Sequence, residues 1–101
     1  MNNLSAKTIH GIKNICQRRH VRNLYVFGSV LTERFDNRSD VDFLVEFEPL
    51  SPEDYADNYF DLCDDLEVLL GRKADVVTLK SIQNPYFKAE IDKTRKLIYA
   101  A

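Results

Sequence analysis

The chain has little of what builds most metal-thiolate, secreted or membrane proteins. It holds two cysteines and two histidines in 101 residues. Cys16 and Cys63 form no Cys-x-x-Cys pair, and His10 and His20 stand at no zinc-finger spacing from them. A zinc module is therefore excluded, and both thiols read as buried, reduced structural residues of helices. Glycine and proline number three each, and no linker, repeat or low-complexity segment is visible. No apolar stretch approaches the length that crosses a bilayer, and the start Met1-Asn2-Asn3-Leu4-Ser5 begins no signal peptide. The expected location is the cytoplasm, with no membrane partner. Charge of one sign is lacking too: the formal net charge is −2. That balance gives no support for a nucleic-acid binder, which usually carries a clear basic excess.

What is present reads as one domain over residues 1–101. About half the residues are apolar, at 45%, and a chain this long closes one core but not a second independent one. Any substrate-binding domain must then be supplied by a partner or a second copy, so a homodimer or hetero-complex is open. Tyr86 and Phe87 are candidates for such an interface or for the core.

Hydrophobic spacing gives the element order. Ser5 can cap a helix to about Arg19, with Ile9, Ile12, Ile15 and Cys16 at helical intervals. The cluster Arg18, Arg19, His20 and Arg22 suits its C-terminal dipole. Asn23 to Phe27 reads as a buried strand, Val30 to Phe35 as a short helix, and Asp36 to Ser39 as a turn. From Asp40 to Phe47 residues alternate, with Val41, Phe43, Val45 and Phe47 on one face and Asp40, Asp42, Leu44 and Glu46 on the other. Ser51-Pro52-Glu53-Asp54 starts a helix whose stripe runs Tyr55, Tyr59, Cys63, Leu66, Leu70 and whose end is Gly71. Ala74 to Leu79 is a third strand, Ser81 to Lys93 a turn and helix containing Pro85, and Lys96 to Tyr99 a closing strand. Strands alternating with helices predict a small α/β sheet with helices packed mainly on one face.

Three aspartates carry the chemistry. Asp40 and Asp42, two apart on a strand, point the same way with Cα atoms roughly 6.5–7 Å apart. Two carboxylates held at about 5 Å repel by roughly 3 kcal/mol at an effective dielectric near 20. A hard divalent cation such as magnesium, which takes carboxylate and phosphate oxygens, would relieve that repulsion. Asp75 on a neighbouring strand could complete a site for two ions, or take a proton from an attacking hydroxyl. Gly28 allows close backbone approach to phosphate, Ser29 adds a hydroxyl and an N–H, and a helix beginning just after them would favour an anion. Arg34, Arg38, Arg72 and Lys73 are candidate triphosphate contacts, and spacing does not choose among them. A lone Asp-x-Asp is usually a solvated turn. Gly28-Ser29 followed by Ser39-Asp40-x-Asp42, with a strand at each, is much more specific.

The run Gly28-Ser29…Ser39-Asp40-Val41-Asp42-Phe43-Leu44-Val45 resembles the signature of the DNA polymerase beta-type nucleotidyltransferases, especially their minimal form, the MNT proteins. Gly71-Arg72-Lys73-Ala74-Asp75-Val76-Val77 resembles that group's third-aspartate strand, and the likeness extends to Ile98-Tyr99. It implies a nucleotidyltransferase fold with a mixed sheet of about four strands. It implies two magnesium ions on Asp40, Asp42 and Asp75, nucleotide contacts at Gly28, Ser29 and Ser39, and ATP as donor. It also implies an antitoxin paired with a HEPN-type ribonuclease toxin, with AMP passing to a toxin tyrosine. Where the family often has arginine then glycine, this chain has Thr32 and Glu33, and Arg34 would lie roughly 200° further round a helix. Weakened nucleotide use follows as an expectation. An antitoxin acting by contact alone and a transferase acting on RNA or a small molecule are the alternatives.

Overall fold

The computed structural model describes residues 3–101. The reading of the N-terminus as no signal peptide falls partly on Met1 and Asn2, outside the described residues. The elements are α1 (Ala6–Arg18), β1 (Val21–Phe27), a one-turn 3-10 helix (Gly28–Leu31), β2 (Val41–Phe47), α2 (Pro52–Leu70), β3 (Ala74–Thr78), a second 3-10 turn (Leu79–Ser81), α3 (Pro85–Thr94) and β4 (Lys96–Ala100).

Local chemistry sets these boundaries. Ser5 accepts a hydrogen bond from the Thr8 N–H and opens α1. Ser51 does the same for the Asp54 N–H at α2, where Pro52 takes the first helical position. Gly71 closes α2 in the left-handed region, at φ 66°. Asn84 Oδ1 accepts from the Tyr86 and Phe87 N–H groups and starts α3 at Pro85.

The four strands form one mixed sheet in the order β3-β2-β1-β4. β1 pairs antiparallel with β2 and with β4, and β2 pairs parallel with β3. A parallel pair needs a long crossover, and the 19-residue α2 supplies it. The larger core lies between one sheet face and helices α1 and α2. It joins Ile12, Ile15 and Cys16 to Leu62 and Leu66 over Val41, Phe43 and Val45. The opposite face carries a smaller cluster of Phe27, Leu44 and Ile91, the last from α3. Helices thus sit mainly on one face, with α3 alone covering part of the other.

Two readings of the sequence need correction. Val30 to Phe35 is not a helix: the 3-10 turn begins at Gly28 and ends at Leu31, because Thr32 turns extended at φ −126°, ψ 168°. A turn of four residues is too short to develop a helix dipole. Cys63 is half-buried rather than buried, whereas Cys16 is fully buried and its thiol is pushed up to about 12 by desolvation. Of the basic cluster ending α1, Arg19 also ties α1 to α2, donating from Nε to Asp65 at 2.7 Å.

Candidate active site

The sheet's register assembles the site. Phe27, the last residue of β1, is the antiparallel partner of Asp42. Asp42 is in turn the parallel partner of Asp75. The three therefore form a row across three adjacent strands, about 4.8 Å from one to the next. Ala74 and Val76 belong to the larger core, so strand alternation turns Asp75 to the other face, together with Asp42. Asp42 and Asp75 are closer neighbours than the Asp40/Asp42 pair that the sequence spacing put forward. Asp40 is exposed and lies just before β2 rather than inside it.

Electrostatics agrees with that order. The Asp42 carboxyl is pushed up to about 6, first by burial, then by the Asp75 charge, then by the Asp40 charge. Among the described residues, no lysine, arginine or histidine forms an ion pair with any of the three. The result is a set of hard oxygen donors without a counter-charge, which is the chemistry a hard divalent cation fits. Among the described residues, no three His, Cys, Asp or Glu side chains are gathered closely enough to enclose an ion. Magnesium commonly keeps several waters and takes only one or two carboxylates plus substrate phosphates. Asp42 and Asp75, with Asp40 beside them, match that sparse ligation better than a closed cage.

Gly28 is fixed by the same row. It adopts φ 78° immediately after Phe27, a conformation that side chains disfavour. A Cβ at this position would overlap Asp42 Oδ2. Glycine therefore lets the turn and the carboxylate share one space.

A cavity of about 780 Å³ opens beside this row. Gly28, Ser29 and Asp42 line one part of it, and Phe27 and Phe87 contribute aromatic wall. Those two rings meet edge to face at 6.0 Å. Arg34, Lys93 and Lys96 supply the cations and Glu90 the second carboxylate. This volume lies in the range of small-molecule sites.

Other residues singled out from the sequence are placed differently. Ser39 does not line the cavity: its hydroxyl accepts from the Asp36 N–H at 3.0 Å, and its carbonyl accepts from Arg72 Nη1 at 2.9 Å. The same Arg72 nitrogen donates to the Asp36 carbonyl at 2.7 Å, and the guanidinium lies 4.3 Å over the Phe35 ring. Arg72 thus braces the 36–39 turn that feeds Asp40 into β2. Arg38 and Lys73 lie outside the cavity lining, and so does Glu33. Phe87, Glu90, Lys93 and Lys96 were missed as site residues. Phe87, Ile91 and Thr94 follow helical spacing, which announces a facing surface but not what it faces.

The chain matches the family described as polymerase beta, nucleotidyltransferase, over residues 10–101. A candidate protein adenylyltransferase of Methanocaldococcus jannaschii is 35% identical over 101 residues, covering 92% of this chain and 98% of that one. The protein adenylyltransferase MntA of Thermococcus cleftensis is 32% identical over 87 residues, covering 86% and 82% of the two chains. Among solved structures, one described as a candidate minimal nucleotidyltransferase superposes with a TM-score of 0.74 at 26% identity, over 89% of this chain and 88% of that one. An MNT antitoxin complex with a tri-AMPylated HEPN toxin from Shewanella oneidensis gives a TM-score of 0.64 at 18% identity, over 94% and 71%, and shows the common fold. A match that spans nearly the whole chain, around a site with this geometry, assigns the protein: it belongs to the polymerase beta nucleotidyltransferase family.

Proposed function

We propose that the protein transfers AMP from ATP to a tyrosine hydroxyl of a partner HEPN-type toxin, as the antitoxin of that pair. The observation that carries this reading is Asp42, paired with Asp75 across two strands and set against Gly28, lining a cavity of nucleotide size. The acceptor class is supported by relatives named protein adenylyltransferases at 32–35% identity. A partner of the HEPN type is supported by the fold neighbour whose complex contains an AMPylated HEPN toxin. A protein acceptor also suits a chain too small to hold a separate acceptor domain.

In this reading the acceptor oxygen forms a bond to the α-phosphorus of ATP, the bond from that phosphorus to the bridging oxygen breaks, and pyrophosphate leaves. Asp42 and Asp75, with Asp40 beside them, would hold magnesium, two ions in this reading, and the metal would offset charge on the triphosphate and favour the deprotonated form of the attacking hydroxyl. Asp75, exposed at the outer end of the row, takes the proton from the hydroxyl. Gly28 and Ser29 bring backbone close to the phosphates without a Cβ between. Phe27 and Phe87 give the nucleoside an apolar wall that helps to exclude water.

The test is incubation of the protein with α-labelled ATP, magnesium and a HEPN-type toxin as partner. Label should pass to the partner and be lost with Asp42→Asn. Transfer by the Asp42→Asn protein at the unmodified rate would remove the assignment. If the variant makes no AMP transfer yet still neutralises the toxin, neutralisation rests on contact rather than chemistry.

A further inference from the structure

Thr32 and Glu33 raise the question of what offsets the charge of a bound triphosphate. Thr32 is unavailable for it. Its N–H and its hydroxyl both donate to the Ser29 carbonyl, at 2.9 Å each, and its Oγ1 accepts from the Arg34 N–H at 3.2 Å. These bonds close the 3-10 turn and start an extended stretch at Thr32. Because the helix ends at Leu31, Arg34 is not carried round to a far face. It lines the cavity with Gly28, Ser29 and Asp42. Glu33, exposed, lies outside that lining.

The structure assigns Arg34 as the contact for the β- and γ-phosphates of the nucleotide, in place of a cation at position 32. This assignment rests on the nucleotidyltransferase reading and adds to it a specific residue. Three observations carry it. Among the described residues, the Arg34 guanidinium has no hydrogen-bond or ion-pair partner. Arg72 is spent on the Asp36 and Ser39 carbonyls, and Arg38 lies outside the cavity lining. The Arg34 backbone is bonded to Thr32, which is bonded to Ser29, so the guanidinium hangs from the same turn that meets the phosphates. Lys93 and Lys96 also line the cavity, from α3 and β4, but neither is coupled to that turn. A planar guanidinium can grip two phosphate oxygens at once, which an ammonium cannot. On this placement Arg34 also steadies the departing pyrophosphate.

The experiment is calorimetric titration of the intact protein with ATP, ADP and AMP in magnesium. It compares the unmodified chain with Arg34→Ala and Arg34→Lys, after checking that the apo proteins melt within 2–3 °C of one another, roughly the scale of a surface substitution. Arg34→Ala should weaken ATP at least about tenfold, the loss expected for a charge-assisted contact, and leave AMP within about twofold. Arg34→Lys should fall between. ATP binding by Arg34→Ala within twofold of the unmodified chain would overturn the assignment, as would an equal loss for ATP and AMP. Failure of the unmodified chain to bind ATP would instead remove the ATP-donor reading beneath it.

Discussion

At the scale of single residues, Asp42 is where stability and the proposed chemistry conflict. Its carboxyl is half-buried and pushed up to about 6, from an ordinary 3.8, by burial and by its two acidic neighbours. The folded state therefore binds this proton more tightly than the unfolded chain does. Above about pH 6 the group is ionised in both states and the folded protein bears the full repulsion. As pH falls from 7 towards 4, protonation of the folded form relieves it. Without divalent ions, Asp42→Asn should be more stable than the unmodified chain at pH 7. Open solvent in the cavity screens the charge, so a difference of about 1–2 kcal/mol is expected. Thermal melts of both proteins in chelator at pH 7 and pH 4.5 measure it. The gap should be present at pH 7 and shrink at pH 4.5. A gap that grows with acidity has the wrong sign, and the burial account of Asp42 would then fail.

At the scale of elements, helices and strands were largely legible in the sequence, and the loop between β1 and β2 was not. Ser51-Pro52 and Gly71 bracket α2 because capping and the left-handed exit are local chemistry. The alternation from Val41 to Phe47 placed Asp42 on the face opposite Phe43 because the pleat has period 2. Register is different in kind. That Asp42 stands beside Asp75, rather than one residue along, is set by how β2 and β3 pair across a long helix, and no local pattern encodes it. Likewise the fate of Arg34 turned on whether the turn continued as helix to Phe35. Ser29 and Thr32 settled that through hydrogen bonds that composition does not reveal. Cross-element bonds also fix how α2 carries β3 into register. Tyr59, half-buried on α2, donates its hydroxyl to the Val76 carbonyl at 2.7 Å, on the face away from the cavity. Tyr59→Phe should lose about 1 kcal/mol, or about 4–8 °C of melting temperature for a domain of this size, with AMP transfer at permissive temperature unchanged. An unchanged melting temperature would mean the bond is not made in solution. Lost transfer in a stably folded variant would mean α2 acts on the site and not only on the frame.

At the scale of the whole molecule, one side of the sheet holds the frame and the other the candidate site. Helices α1 and α2 bury the larger core against one face. The other face is covered only partly by α3, through Ile91, and Asp42 lines the cavity there with Asp75 beside it on β3. Carboxylates without a counter-charge destabilise the empty protein, and the ligand that neutralises them must stabilise the filled one. Binding to the folded state alone adds about 2.7 kcal/mol at roughly 100 times the dissociation constant. For a chain of this length that corresponds to a rise of about 10 °C or more in melting temperature. The rise should need magnesium and ATP together, because each supplies charge that the other requires. It should be small with either alone and nearly absent in Asp42→Asn. A scan with the four combinations, run on both proteins, separates this from nonspecific salt effects, which would move the two melting temperatures equally. Equal rises in both proteins would show that the stabilisation does not pass through the aspartates, and the site its register builds would then not be where magnesium and ATP act.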